Sequence, residues 1–139
     1  MFQGLVFVND NNTLNYPEIL IPQQGKITEI TSKIYWIRMP LPFDLNHINL
    51  WLLKDEYAGE IGWSIVDTGI YNLKTKKLWL EIIKKYCNQL PILRIICTHM
   101  HPDHFGLAEW FCNGLNRKLW HPKLWMTKDE FLTGTLLSV

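Results

Sequence analysis

The segment Thr98-His99-Met100-His101-Pro102-Asp103-His104-Phe105-Gly106 holds three of the chain's five histidines within six residues, with an aspartate among them. Such density is what metal ligation needs. In extended backbone, side chains at i and i+2 point the same way, so His99 and His101 can grip one ion together. Pro102 keeps His101 out of helical geometry. Asp103 and His104 then face a second position as the chain turns into a helix. Imidazoles and a carboxylate suit zinc, and also iron or manganese, so the donors alone do not choose the metal.

The elements around this segment must hold it in place. Ile92 to Thr98 reads as a buried strand after Pro91. Before it, Trp79, Ile82, Ile83, Tyr86, Cys87 and Leu90 share one helical face, with Lys77, Glu81, Lys84 and Lys85 largely opposite. Asn72 or Thr75 caps that helix. Trp63 to Asp67 is a nearly all-apolar strand that ends in the turn Asp67-Thr68-Gly69. Together these make a β-α-β unit, which places two strands parallel and functional loops at their C-terminal ends.

Upstream, His47 to Lys54 reads as a strand and Asp55 to Gly62 as a hairpin loop. Lys26 to Ile37 is strand-like and is stopped by Pro40 and Pro42. Downstream, a short helix is expected from His104 to about Phe111, a strand within Lys118 to Met126, and a terminal helix capped by Thr127. Residues 1–25, with the turn cluster Asn9 to Asn12, read as an irregular lead-in, and 26–139 as one α/β domain.

The chain has 139 residues, 47% apolar and 19% charged, and a net charge of +1. This balance argues against disorder and against a general basic field for nucleic acid. Lys74, Lys76, Lys77, Lys84 and Lys85 read as a solvated helix face. The three cysteines show no metal or redox spacing; they read as free thiols, with Cys97 a core residue. No signal peptide or membrane span is read, so the cytoplasm is expected. His47 reads as a hydrogen-bonded structural histidine, and His121 as a surface or strand-edge histidine. Trp36, Trp51, Trp63 and Trp79 read as packing residues. There is no GxGxxG, Walker A or GxSxG pattern.

The segment Thr98 to Gly106 resembles the HxHxDH signature of the metallo-β-lactamase-fold hydrolases, in its glyoxalase-II-like form. Val66-Asp67-Thr68-Gly69 and His47-Ile48-Asn49-Leu50-Trp51-Leu52-Leu53 resemble the family's upstream elements, in the same order. The resemblance runs from about Ile27 to Leu132 and covers the amino-terminal half of an αβ/βα sandwich, a mixed sheet with helices on one face. It implies that His99 and His101 bind one zinc, that Asp103 and His104 bind a second, and that Asp103 also orients the attacking water. It implies that Asp67 anchors the loop without touching metal.

The activity so implied is hydrolysis of a small ester, thioester or lactone by a metal-bound water. The alternatives are a phosphodiesterase or nuclease of the same superfamily, and a non-catalytic half-domain serving binding or assembly. The family's second-half ligands have no counterpart before Val139, so a truncated form is expected. The expected partner is a small-molecule substrate, without nucleic acid or membrane. Self-association is also expected, through an uncovered sheet face near Leu50, Ile65 and Ile95.

Overall fold

A computed structural model describes residues 7–8, 14–15, 19–87, 90–114 and 120–136. A two-residue ladder joins β1 (Phe7–Val8) to β2 (Leu14–Asn15) inside the expected lead-in, while Asn9 to Asn12 lie outside the described residues. The main sheet has six strands in sequential order: β3 (Lys26–Thr31), β4 (Ile34–Pro40), β5 (His47–Tyr57), β6 (Glu60–Val66), β7 (Ile92–Ile96) and β8 (Lys123–Trp125). β3 to β6 are antiparallel neighbours. β6, β7 and β8 run parallel, because helix α1 (Leu73–Tyr86) carries the chain back between β6 and β7. Asn72 caps α1 by accepting the Thr75 N–H at 2.8 Å, one of the two caps expected. The result is a mixed six-stranded α/β sheet with helices, the class of fold expected from the sequence.

Several boundaries differ from those read in the sequence. The expected loop Asp55 to Gly62 is a two-residue turn, Ala58-Gly59, with β5 and β6 continuing on either side. Both turn residues have positive φ, 53° and 80°, the mirror-image turn whose twist matches two antiparallel strands. The acids that suggested a loop are strand residues: Glu56 and Glu60 are exposed, and Asp55 is half-buried. The short helix after β7 starts earlier than expected: α2 is Pro102–Phe105, followed by a π-helical turn at Trp110–Gly114. Proline at the first helical position explains the early start. α3 (Lys128–Leu136) begins at its expected place, with Thr127 Oγ1 accepting the Glu130 N–H at 3.4 Å.

The sheet has two chemically different faces. Register pairs Ile37 with Leu50, Leu52 with Ile65, and Ile65 with Ile95, so these residues share one face. All five are fully buried, in one cluster with Trp79, Ile82 and Ile83 of α1 and with Leu107 and Phe111. Each such large side chain contributes roughly 1.5–3 kcal/mol by leaving water. Leu50, Ile65 and Ile95 therefore lie on the helix-covered face. Their alternates Trp51, Val66 and Ile96 occupy the other, because strand side chains alternate. Trp36 stacks on Trp51 across that second face at 6.3 Å and donates from Nε1 to Asn49 Oδ1 at 2.8 Å.

The second face also carries a charged cluster. Arg94 Nε donates to Asp55 Oδ2 at 2.9 Å, and the Ser64 hydroxyl donates to the same oxygen. The guanidinium lies between Trp125, 4.6 Å away, and Tyr57, 5.0 Å away. Burial alone would push the Asp55 carboxyl up, but Ser64, Arg94 and the Glu56 N–H outweigh it and hold it below its ordinary value. A carboxyl depressed in the folded state adds stability above its unfolded value, and that stability is lost as pH falls through the folded value. Asp55→Asn is expected to cost about 1.5–3 kcal/mol at neutral pH, the range for a hydrogen bond to a charged group. Thermal unfolding should show the gap between wild type and variant closing as the pH drops below about 4.

Candidate metal centre

β6 and β7 end side by side, and the residues just beyond them form the site. Asp67 leaves β6 in the left-handed conformation, φ 57°, and its N–H donates to Ile96 O at 2.8 Å. This turn aims its buried carboxylate at the start of the histidine segment. The carboxylate accepts the Thr98 N–H at 2.8 Å, the Thr98 hydroxyl at 2.9 Å and His104 Nδ1 at 2.9 Å.

These bonds assign tautomers. His104 gives its Nδ1 proton to Asp67, which leaves the Nε2 lone pair for a ligand. The Thr98 hydroxyl spends its proton on Asp67, so it accepts from His99 Nδ1, 2.9 Å away. His99 Nε2 then also carries a lone pair. That lone pair faces His101 Nδ1 at 3.0 Å. On the other side, His104 Nε2 lies 3.6 Å from Asp103 Oδ2. The His99 and His104 rings are 3.9 Å apart, centre to centre, so the two pairs are adjacent.

Two donors on one tetrahedral zinc at 2.0–2.1 Å stand about 3.3 Å apart. The His99–His101 pair is a few tenths of an ångström closer than that, and the Asp103–His104 pair is a few tenths wider. Both fit a two-donor bite. Among the described residues, no group of three His, Cys, Asp or Glu side chains is already arranged to hold an ion. The donors stand in twos, with His99 and His101 hydrogen-bonded to each other.

The backbone around the site is fixed by close contact. Thr68 is fully buried; its N–H and hydroxyl donate to His104 O at 2.7 and 2.8 Å, and its Oγ1 accepts the Leu107 N–H at 3.0 Å. Trp79 Nε1 donates to Thr68 O at 2.7 Å, which ties α1 to the same turn. Gly106 lies so close that a Cβ would meet Tyr71 N at 2.8 Å and Gly69 O at 3.0 Å. From α3, Glu130 accepts the Met100 N–H at 2.7 Å.

The sequence gives no signal for Glu130, because its contact spans 30 residues. Thr98 stands inside the motif, but its relay role becomes visible only with Asp67 opposite it. His121 is absent from the site. It lines a shallow pocket with Tyr57, Glu60, Pro91 and Ile92, at the strand ends opposite the histidines. His47 is hydrogen-bonded to Arg38 and Asn46. Burial pushes the Cys97 thiol up to about 12, so it stays a neutral core residue. Lys76 is less solvated than its position suggests: its ammonium sits 3.9 Å from the Tyr71 ring.

The sequence profile of the metallo-beta-lactamase superfamily matches residues 44–130. A beta-lactamase domain protein from Burkholderia ambifaria is 46% identical, with TM-score 0.79 over 86% of this chain and 35% of its own. A metallo-beta-lactamase family protein from Thermus thermophilus is 28% identical, with TM-score 0.55 over 74% of this chain and 31% of its own. A metallo-beta-lactamase from Pseudomonas aeruginosa, in its mono-zinc form, shares the fold at 18% identity, with TM-score 0.56 over 85% of this chain and 48% of its own. The chain thus spans about a third of the length of the first two proteins. No curated protein matches it.

Two substitutions test the anchoring. Asparagine tolerates positive φ, so Asp67→Asn keeps the turn. Its amide would offer an N–H where His104 now donates, which would turn that ring over to the wrong tautomer. Any zinc affinity of the Asp103–His104 pair should fall by about 10–100-fold, the usual effect of losing a partner of a ligand. Thermal stability should fall with it, because the buried carboxylate oxygen that accepts from His104 and the Thr98 hydroxyl is lost. Gly106→Ala should push α2 from the Asp67-Thr68-Gly69 turn. Both the melting temperature and zinc affinity are then expected to drop.

Proposed function

The chain belongs to the metallo-beta-lactamase superfamily, and from that premise we propose that it carries the metal-binding half of a hydrolase of small esters, thioesters or lactones. The observation that carries the reading is the paired donor geometry, His99 Nε2 against His101 Nδ1 and His104 Nε2 against Asp103 Oδ2. His99 and His101 would hold one zinc ion, and Asp103 and His104 a second. Divalent ions there would supply Lewis acidity to a water and to the carbonyl oxygen of the substrate.

The protein's own groups do the positioning. Asp67 and Thr98 hold His99 and His104 with their Nε2 lone pairs outward. Asp103 has a second carboxylate oxygen that can accept a proton of the attacking water and fix its direction. A hydrolytic water must stand about 3–3.5 Å from its target, so this orientation matters to rate. Imidazole and carboxylate donors fit zinc, iron and manganese alike, and zinc is the ion this reading takes from the family resemblance.

Each pair supplies two donors, where a catalytic zinc takes three protein ligands and a water. The chain is therefore expected to bind zinc more weakly than a three-ligand site does. Its hydrolysis of esters, thioesters and lactones is expected at or near background. Calorimetric zinc titration of the wild type and of a His99→Ala, His101→Ala double variant tests the assignment. The variant should lose one binding event and keep the other. Equal zinc binding by both proteins would sink it.

A further inference from the structure

The rim of the sheet near the histidines carries a second polar group that the metal reading does not use. Arg38 on β4 faces away from α1, since it pairs with Asn49 and its neighbour Ile37 pairs with Leu50. His47 begins β5 on the same face, diagonal to Arg38. Arg38 Nη2 lies 3.2 Å from His47 Nδ1. Arginine can only donate, so this Nδ1 accepts and the ring proton sits on Nε2. Burial, and then the Arg38 charge, hold His47 below its ordinary value, which keeps it neutral. Asn46 Oδ1 lies 2.9 Å from the same Nδ1; an amide oxygen only accepts, so with Nδ1 accepting from Arg38 the amide must turn over to present its NH2 group there.

Arg38 is a half-buried cation without a counter-charge. Among the described residues no carboxylate lies within ion-pair distance of it. Its Nε is fully buried and has no hydrogen-bond partner. Buried charge without a partner is costly, and buried donors are normally satisfied. The surroundings are built rather than loose. Arg38 O accepts the Gly25 N–H at 2.6 Å, and Asn46 O accepts from Leu41 N and from Gln24 Nε2, both at 2.9 Å.

We infer that Arg38, with the Nε2–H of His47, forms an oxyanion site that takes a carboxylate or phosphate group at the substrate's far end. Guanidinium and a neighbouring N–H donor match such a group in charge and geometry. The start of β5 and the ends of β6 and β7 lie at the same edge of the sheet. At about 4.8 Å per strand, Arg38 stands roughly 10–15 Å from the histidines. The substrate would then be elongated, with an anionic end about as far from the scissile bond as three or four extended residues span. The assignment to substrate rests on the hydrolase reading; the oxyanion site itself does not.

NMR titration of the metal-free chain with acetate, inorganic phosphate and neutral acetamide, following the His47 ring signals, tests the site. At least one anion should give a saturable shift, and acetamide none. Arg38→Met should weaken that binding at least tenfold, while Arg38→Lys, the safer variant for folding, keeps part of it. Tighter acetate would mark a carboxylate end, and tighter phosphate a phosphorylated one. No saturable shift with either anion, or unchanged affinity in Arg38→Met, would overturn the site. Zinc calorimetry on the same proteins separates the two readings. Anion binding without zinc binding at the histidines would remove the hydrolase reading and leave the oxyanion site standing.

Discussion

The carboxylate of Asp67 is where strand order, loop conformation and ligand chemistry meet. It is buried, and it accepts a main-chain N–H, a hydroxyl and an imidazole N–H. A buried carboxylate left without such donors would cost several kcal/mol, so the loop that follows β7 is held to the one conformation that supplies them. The left-handed backbone of Asp67 is tolerable for the same reason. Strain of about 1–3 kcal/mol persists only where surrounding contacts over-determine it, and here three donors do so.

That anchoring depends in turn on the β-α-β crossover. Asp67 and Thr98 are 31 residues apart, yet they meet because β6 and β7 are parallel neighbours that end together. The helix between them is held by the burial of Trp79, Ile82 and Ile83 against the sheet. Trp79 adds a directional bond, since its Nε1 reaches the carbonyl of Thr68. A large apolar residue thus packs the core and sets the position of the turn that carries Asp67.

The parts legible from sequence were those with local signatures. Helical spacing from Trp79 to Cys87 and the apolar runs at 63–67 and 92–98 carried the crossover. The density of histidine from 99 to 104 carried the candidate ligands. What escaped was whatever depends on a partner distant in the chain. Asp55 reads as a loop residue because acids are common in turns, yet its partner Arg94 is 39 positions away. Glu130 and Arg38 carry no pattern around them; only the fold reveals that one holds Met100 and the other lacks a counter-charge. The family resemblance was legible as well, because its residues keep their order along the chain.

The arrangement of the imidazoles explains why a second layer of hydrogen bonds is needed at all. Rings packed as closely as His99 and His104 can exchange donor and acceptor roles, and a ring with its proton on the wrong nitrogen offers no lone pair to a ligand. Asp67 settles this for His104 directly, and for His99 through the Thr98 hydroxyl. His101 has no such fixed partner among these bonds; its Nδ1 faces the His99 lone pair, so its proton is free to move to Nε2 when a ligand takes that place. Capture of a ligand under the proposed reading would require a change of tautomer at one ring and a shift of a few tenths of an ångström, not a refolding of the loop. The ordering entropy is met by the fold, through Asp67, before any ligand arrives.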